Sequence, residues 1–163
     1  MALFAIDGPA GAGKTTFAQK LEDEYSISST VQTIHLDDLY NGWETALDQE
    51  LTQTLAYITS SHAAGREFSL KIFNWKTMRF DHTRSYEPTE FLILEGVGAA
   101  QEVVRTAGAT TYWCEIDDET GLQRVLDRDG AHLELQMREW QKQQRLHFIS
   151  DQTRENCQIQ LTS

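Results

Sequence analysis

Positive charge is scarce in this chain. Its 163 residues hold 14 Lys and Arg against 25 Asp and Glu, a net charge of −11, so a broad surface for nucleic-acid phosphates is excluded and any anion has to be bound by a local feature. Cysteine is scarcer still. Cys114 and Cys157 have neither metal-ligand spacing nor the density of a disulfide framework, and each sits in a short apolar run, as expected of reduced core residues in a cytoplasmic protein. No apolar stretch approaches the length of a membrane span, and the N-terminus lacks the basic flank and long apolar stretch of a signal peptide. The expected state is a cytoplasmic monomer or homodimer with no nucleic-acid and no membrane partner.

What is present is an ordinary globular composition, 40% hydrophobic and 24% charged, in a length that suits one compact domain spanning residues 1–163. Short apolar runs alternate with helix-period segments, which predicts an α/β fold of three layers, a parallel sheet flanked by helices. Strands are expected at 3–6, 31–36, 91–94, 111–116 and 158–161, and a half-buried one where Phe68, Leu70 and Ile72 alternate. Helices are expected at about 15–23, 44–60, 99–106 and 118–127, with Asp117 or Asp118 as a cap. A further helix has Leu133, Met137, Trp140 and Phe148 on its inner face. Residues 74–90 show no clear period and are expected to form loop and edge structure.

Residues 8–15 read GPAGAGKT, matching the phosphate-binding pattern G-x-x-x-x-G-K-[ST] at Gly8, Gly13, Lys14 and Thr15. A chance match is expected in about one chain in two hundred of this length, and here the match follows a strand-like run and opens a helix, the context the pattern requires. Glycines let the loop turn its N–H groups inward, and the helix N-terminus adds its positive end. The predicted nucleotide cradle comprises Gly8, Ala10, Gly11, Ala12, Gly13, Lys14, Thr15 and Thr16. Lys14 is expected on the β- and γ-phosphates of ATP, and the Thr15 hydroxyl on Mg²⁺.

Such a loop needs a carboxylate to hold the metal or to take a proton. Asp37 and Asp38 stand at the end of the second predicted strand, and Glu95 at the end of the strand 91–94, the sheet edge where ligands gather in open α/β folds. Asp37 is the favoured catalytic carboxylate, and Asp37 and Glu95 are the candidate metal ligands beside Thr15; the competing account makes these residues turn caps and solvated strand ends. Arg124 and Arg128, four apart on one helix face, repel one another unless an anion lies between them. A lid over 124–138 that carries them onto the γ-phosphate is one reading, and screening by Asp127 and Asp129 the other.

With GPAGAGKT, LDDLY at 36–40, LEG at 94–96 and RVLDRDG at 124–130 in hand, the chain resembles the uridine kinase family, in the branch of P-loop kinases that holds phosphoribulokinase and bacterial pantothenate kinase. The resemblance covers most of the chain and implies a shortened relative. It implies that Asp37 is the base toward the acceptor hydroxyl, that Tyr40 lies near the acceptor, that Arg124 and Arg128 belong to the lid, and that Arg154 borders the adenine pocket. Two features depart from the family. Phe73-Asn74-Trp75 stands where uridine kinases carry a Tyr-Asp pair, and no His-bearing loop follows Glu95-Gly96.

The acceptor region, about 37–86, concentrates Arg66, Lys71, Lys76, Arg79 and Arg84 among Phe73, Trp75, Phe80 and Tyr86. Asn74 is placed at the acceptor and Arg79 is positioned to hold a phosphate or carboxylate on it, unless these aromatics are core and these cations a solvated face. The leading expectation is an ATP- and Mg²⁺-dependent kinase acting on a hydroxyl of a small-molecule acceptor, with a nucleoside as one candidate. The alternatives are a nucleoside monophosphate kinase and a non-catalytic ATP-binding regulatory switch.

Overall fold

The computed structural model describes residues 1–162. Its elements in chain order are β1 (Ala2–Asp7), α1 (Lys14–Tyr25), β2 (Val31–His35), α2 (Gln49–Ala63), β3 (Phe68–Asn74), β4 (Arg79–Tyr86), β5 (Phe91–Glu95), α3 (Glu102–Thr106), β6 (Thr110–Glu115), α4 (Asp118–Asp129), α5 (Glu134–Asp151), α6 (Thr153–Asn156) and β7 (Ile159–Thr162). Five strands form a sheet in the order β2-β5-β1-β6-β7, and every pairing within it is parallel.

Alternation along β1 builds the layers. Leu3 and Ala5 face a core shared with Leu55 and Ile58 of α2, Val104 of α3, Val125 of α4 and Trp140 of α5. Phe4 and Ile6 face the other side, where Ala18 and Leu21 of α1 pack with Ile93 and Ile116. Burial on both faces explains why β1 and β5 are continuous apolar runs rather than alternating ones. The predicted three-layer α/β arrangement is therefore present, with helices on both faces of a parallel sheet. Cys114 and Cys157 are buried and unbridged, and burial pushes their thiols up to about 11 and about 12.

Three segments differ from expectation. Of residues 74–90, expected as loop and edge structure, 75–78 and 87–90 are turn and loop, but Arg79–Tyr86 form a full strand, β4, which pairs antiparallel with β3 as a separate two-stranded sheet. Phe68 stacks on Tyr86 at its open end, ring centroids 5.2 Å apart. Nearly every residue of β4 is exposed on both faces, with Phe80 half-buried and Tyr86 alone buried, which is why no alternation marks it. The helix expected from 44 begins instead at Gln49, where the Asp48 carboxylate accepts the Leu51 N–H at 3.2 Å and caps it. The helix expected from 99 shortens to α3, because the stretch before it is held as a turn by Asp7, whose carboxylate accepts the amides of Gly98 (3.0 Å) and Ala100 (2.8 Å).

Candidate functional site

The carboxyl ends of β1, β2 and β5 open on one cavity of about 520 Å³. The phosphate loop forms its floor. Asp7, fully buried at the end of β1, also accepts the Gly8 N–H at 2.7 Å, so one carboxylate ties the start of the loop to the turn after β5. Burial pushes this carboxyl above its ordinary value, against the pull of the three amides and of nearby His147. Gly8 takes a positive φ of 141° with the Cys114 carbonyl where a Cβ would sit, so glycine is required there.

Lys14 is buried, and its ammonium donates to the Pro9 carbonyl at 2.7 Å, closing the loop on itself. Burial lowers its pKa, while Glu95, Asp7 and Asp37 hold the charge in place. The Thr15 hydroxyl donates to Glu95 Oε1 at 3.1 Å. The same oxygen lies 2.5 Å from His35 Nδ1, and this hydrogen bond, more than the charge of Glu95, raises the His35 pKa against partial burial.

Asp37 sits in a short 3₁₀ turn (Leu36–Asp38) directly after β2. Its side chain is exposed, but onto the cavity. The protein around it desolvates the carboxyl and, with Glu95, pushes its pKa up, while Lys14 and Arg128 oppose. Tyr40 is buried, donates to the Val97 carbonyl at 2.6 Å, and has its phenol pushed well above its ordinary value by burial.

The segment 124–138 comprises the last turns of α4, a 3₁₀ turn (Ala131–Leu133) and the first turn of α5, and it lines the cavity through Arg124, Val125, Arg128, Asp129 and Met137. Arg124 Nη1 donates to the Gly11 carbonyl at 3.3 Å, and Arg128 pairs with Asp129 at 2.8 Å. The neighbour predicted to screen Arg128 does so.

Of the predicted site residues, Ala10, Gly11, Gly13, Lys14, Thr15, Thr16, Asp37, Tyr40, Glu95, Arg124 and Arg128 line this cavity. Gly8 and Ala12 support the loop from beneath, both buried. Asn74 and Arg79 do not reach it. The Asn74 amide donates to Asp81 at 2.6 Å and its oxygen accepts the Lys76 and Thr77 amides, locking it into the β3–β4 turn. Arg79 is exposed on β4, outside the cavity lining. Arg154 pairs with Glu115 at 2.7 Å and borders a separate depression of about 200 Å³ beside Pro9 and Phe148.

Sequence reasoning missed four residues that shape the site. Asp7 and His35 stand at strand ends, a position that is itself a signal. Trp43 and Trp140 come from a loop and from α5, and with Trp75 they form an indole wall on the cavity. Trp75 Nε1 donates to the Asp37 carbonyl at 2.9 Å, and the Trp43 carbonyl accepts from Gln143 Nε2 at 2.9 Å, so the wall is fixed to the turn that carries Asp37 and to α5.

No protein-family model and no curated protein sequence matches the chain. Solved structures do. A possible uridine kinase from Bacillus stearothermophilus superposes with a TM-score of 0.70 at 16% identity, over 98% of this chain and 88% of that one. Shikimate kinase from Acinetobacter baumannii, in complex with shikimate, gives a TM-score of 0.56 at 16% identity over 100% and 84%. Shikimate kinase from Bacteroides thetaiotaomicron gives 0.56 at 16% over 99% and 85%. The chain has the fold of the P-loop kinases.

Proposed function

We propose that the chain is an ATP- and Mg²⁺-dependent small-molecule kinase that transfers the γ-phosphoryl group to an acceptor hydroxyl. The observation that carries this reading is the convergence of Lys14, Thr15, Glu95 and Asp37 on one cavity, from a phosphate loop and two adjacent strand ends.

The residues present suit magnesium. Among the described residues no group of three or more His, Cys, Asp and Glu forms a metal cage, and Mg²⁺ needs none, since it takes one or two protein oxygens and completes its shell with phosphate and water. The Thr15 hydroxyl and the Glu95 carboxylate, already within 3.1 Å of each other, would supply those oxygens. When bound, the metal neutralises charge on the phosphates.

The chain's own residues do the rest. Loop amides and Lys14 hold the triphosphate. Asp37, with its pKa raised toward the range useful for a base, accepts the acceptor's hydroxyl proton as the hydroxyl oxygen bonds to the γ-phosphorus and the bridging bond to ADP breaks. Arg124 and Arg128 meet the charge that spreads over the transferring group. A nucleoside monophosphate acceptor is disfavoured, because Arg79 lies outside the cavity and Arg84 sits 3.6 Å from Asp38.

The test is ADP formation from Mg·ATP against a panel of nucleosides, sugars, amino alcohols and pantothenate, with Lys14→Ala as control. Acceptor-dependent turnover lost in the control is the expected result. ATP binding with no turnover on any acceptor would favour the regulatory switch.

A further inference from the structure

The acceptor end of the cavity has a composition that the kinase reading does not use. Part of the cavity wall, fixed to the Asp37 turn through Trp75, is made by Trp43, Trp75, Trp140 and Met137. The rings are packed but not parallel: Trp43 and Trp75 have centroids 5.1 Å apart at 60°, Trp43 and Trp140 6.2 Å apart at 80°, and Trp140 meets Tyr40 at 5.2 Å and 55°. A flat nucleobase needs a slot with parallel faces and polar groups along its edge. Here the faces are tilted, the Tyr40 hydroxyl is given to Val97, and the Trp75 N–H is given to the backbone of Asp37. A positive charge has no such requirement, because it is attracted to several ring faces at once whatever their mutual angle.

The charges agree. The cavity lining holds three cations, Lys14, Arg124 and Arg128, against four carboxylates, Asp37, Asp38, Glu95 and Asp129. Arg128 is matched by Asp129, while Lys14 and Arg124 contact the phosphate loop. Asp37 and Asp38 sit in the turn bonded to Trp75, beside the tryptophans. The Asp37 carboxylate has no hydrogen-bond or ion-pair partner among the described residues, and Lys14 and Arg128 act on it only at longer range; the ion pair of Asp38 is with exposed Arg84 at 3.6 Å, with His35 further off. A triphosphate bound at the loop would make the cavity more negative still.

We infer that the phosphoryl acceptor is an alcohol carrying a cationic nitrogen, seated against Trp43, Trp75 and Trp140 with its hydroxyl at Asp37. This rests on the kinase reading for what is done to the hydroxyl, and on the tilted indole wall and the Asp37–Asp38 pair for what is recognised. The cation takes the ring faces and offsets the carboxylates; the hydroxyl, a few bonds away, lies between Asp37 and the phosphate loop.

The experiment is a tryptophan-fluorescence titration of the full chain, without nucleotide, using choline and its uncharged carbon isostere 3,3-dimethylbutan-1-ol. Choline is expected to bind at least about tenfold more tightly. The preference should collapse in Trp75→Leu and weaken in Asp38→Asn, a half-buried surface change that leaves the core intact, with both melting curves recorded. Equal binding of the two probes, binding of neither, or a preference untouched in both variants overturns the inference. Because the titration omits nucleotide, such a failure leaves the kinase reading standing; failure of the kinase reading shows instead as ATP turnover that no acceptor stimulates.

Discussion

Gly121 in α4 and Gly11 in the phosphate loop face each other with no room between them. A Cβ on Gly121 would lie 2.6 Å from the Ala10 carbonyl oxygen and 3.3 Å from Ile116 Cγ2, and a Cβ on Gly11 would strike the Gly121 carbonyl. The two glycines let the N-terminal part of α4 rest directly on the loop, which sets where Arg124, three residues on, meets the loop. Gly121→Ala raises intrinsic helix propensity by about 1 kcal/mol, but the obstacle is backbone and cannot rotate away, and overpacking of this kind costs about 1–3 kcal/mol. The clash wins. The variant is expected to melt earlier and to bind ATP more weakly, as calorimetry and nucleotide titration will read; an unchanged ATP affinity would mean that α4 does not set the loop.

On the proposed kinase function, Asp37 is the residue whose removal should separate chemistry from binding. Its carboxylate has no structural partner, so Asp37→Asn should fold as the native chain does. Loss of the proposed general base should lower turnover by about 10²–10⁴-fold, while ATP affinity, which the same proposal assigns to the loop and Lys14, should stay close to native. Steady-state kinetics beside a nucleotide titration check both halves, and a native rate would remove Asp37 from the chemistry.

His35 gives a pH signature. Its hydrogen bond to Glu95 raises its pKa above the ordinary 6.5. A group raised on folding binds its proton more tightly in the folded state, so its stabilisation is fully present below pH 6.5 and is lost as pH climbs through the raised folded value. His35→Gln should therefore cost stability at pH 6 and progressively less at pH 8 and above. Imidazole NMR should place the midpoint above 6.5; a midpoint below it would show that partial burial outweighs Glu95.

The sequence made the phosphate loop, Asp37 and Glu95 legible because each depends on local pattern: a fixed spacing in one case, the end of an apolar strand in the others. Parallel pairing of β2 with β5 then sets His35 against Glu95 directly, a consequence of strand order that no local pattern carries. The indole wall was less accessible for the same reason, since Trp43, Trp75 and Trp140 belong to three distant segments. Asn74 and Arg79 misled because a cluster of cations and aromatics does not show which way a hairpin faces. The helix expected at 99 failed on a contact nearly a hundred residues away, from Asp7.

That contact is itself testable. The Asp7 carboxylate takes three amides, Gly8 and Gly98 on Oδ1 and Ala100 on Oδ2, while burial works against its charge. In Asp7→Asn one oxygen survives and an NH₂ group replaces the other, so a buried backbone N–H is set against another donor. An unsatisfied buried donor costs about 1–3 kcal/mol, a fall in Tm of roughly 3–10 °C for a chain of this size. Removing a buried charge recovers part of its desolvation, so the measured sign decides between the two effects. A lower Tm with weakened ATP binding is expected, because the loop and the turn after β5 lose their common anchor; an equal or higher Tm would mean that Asp7 costs the fold more by its charge than it returns through its amides.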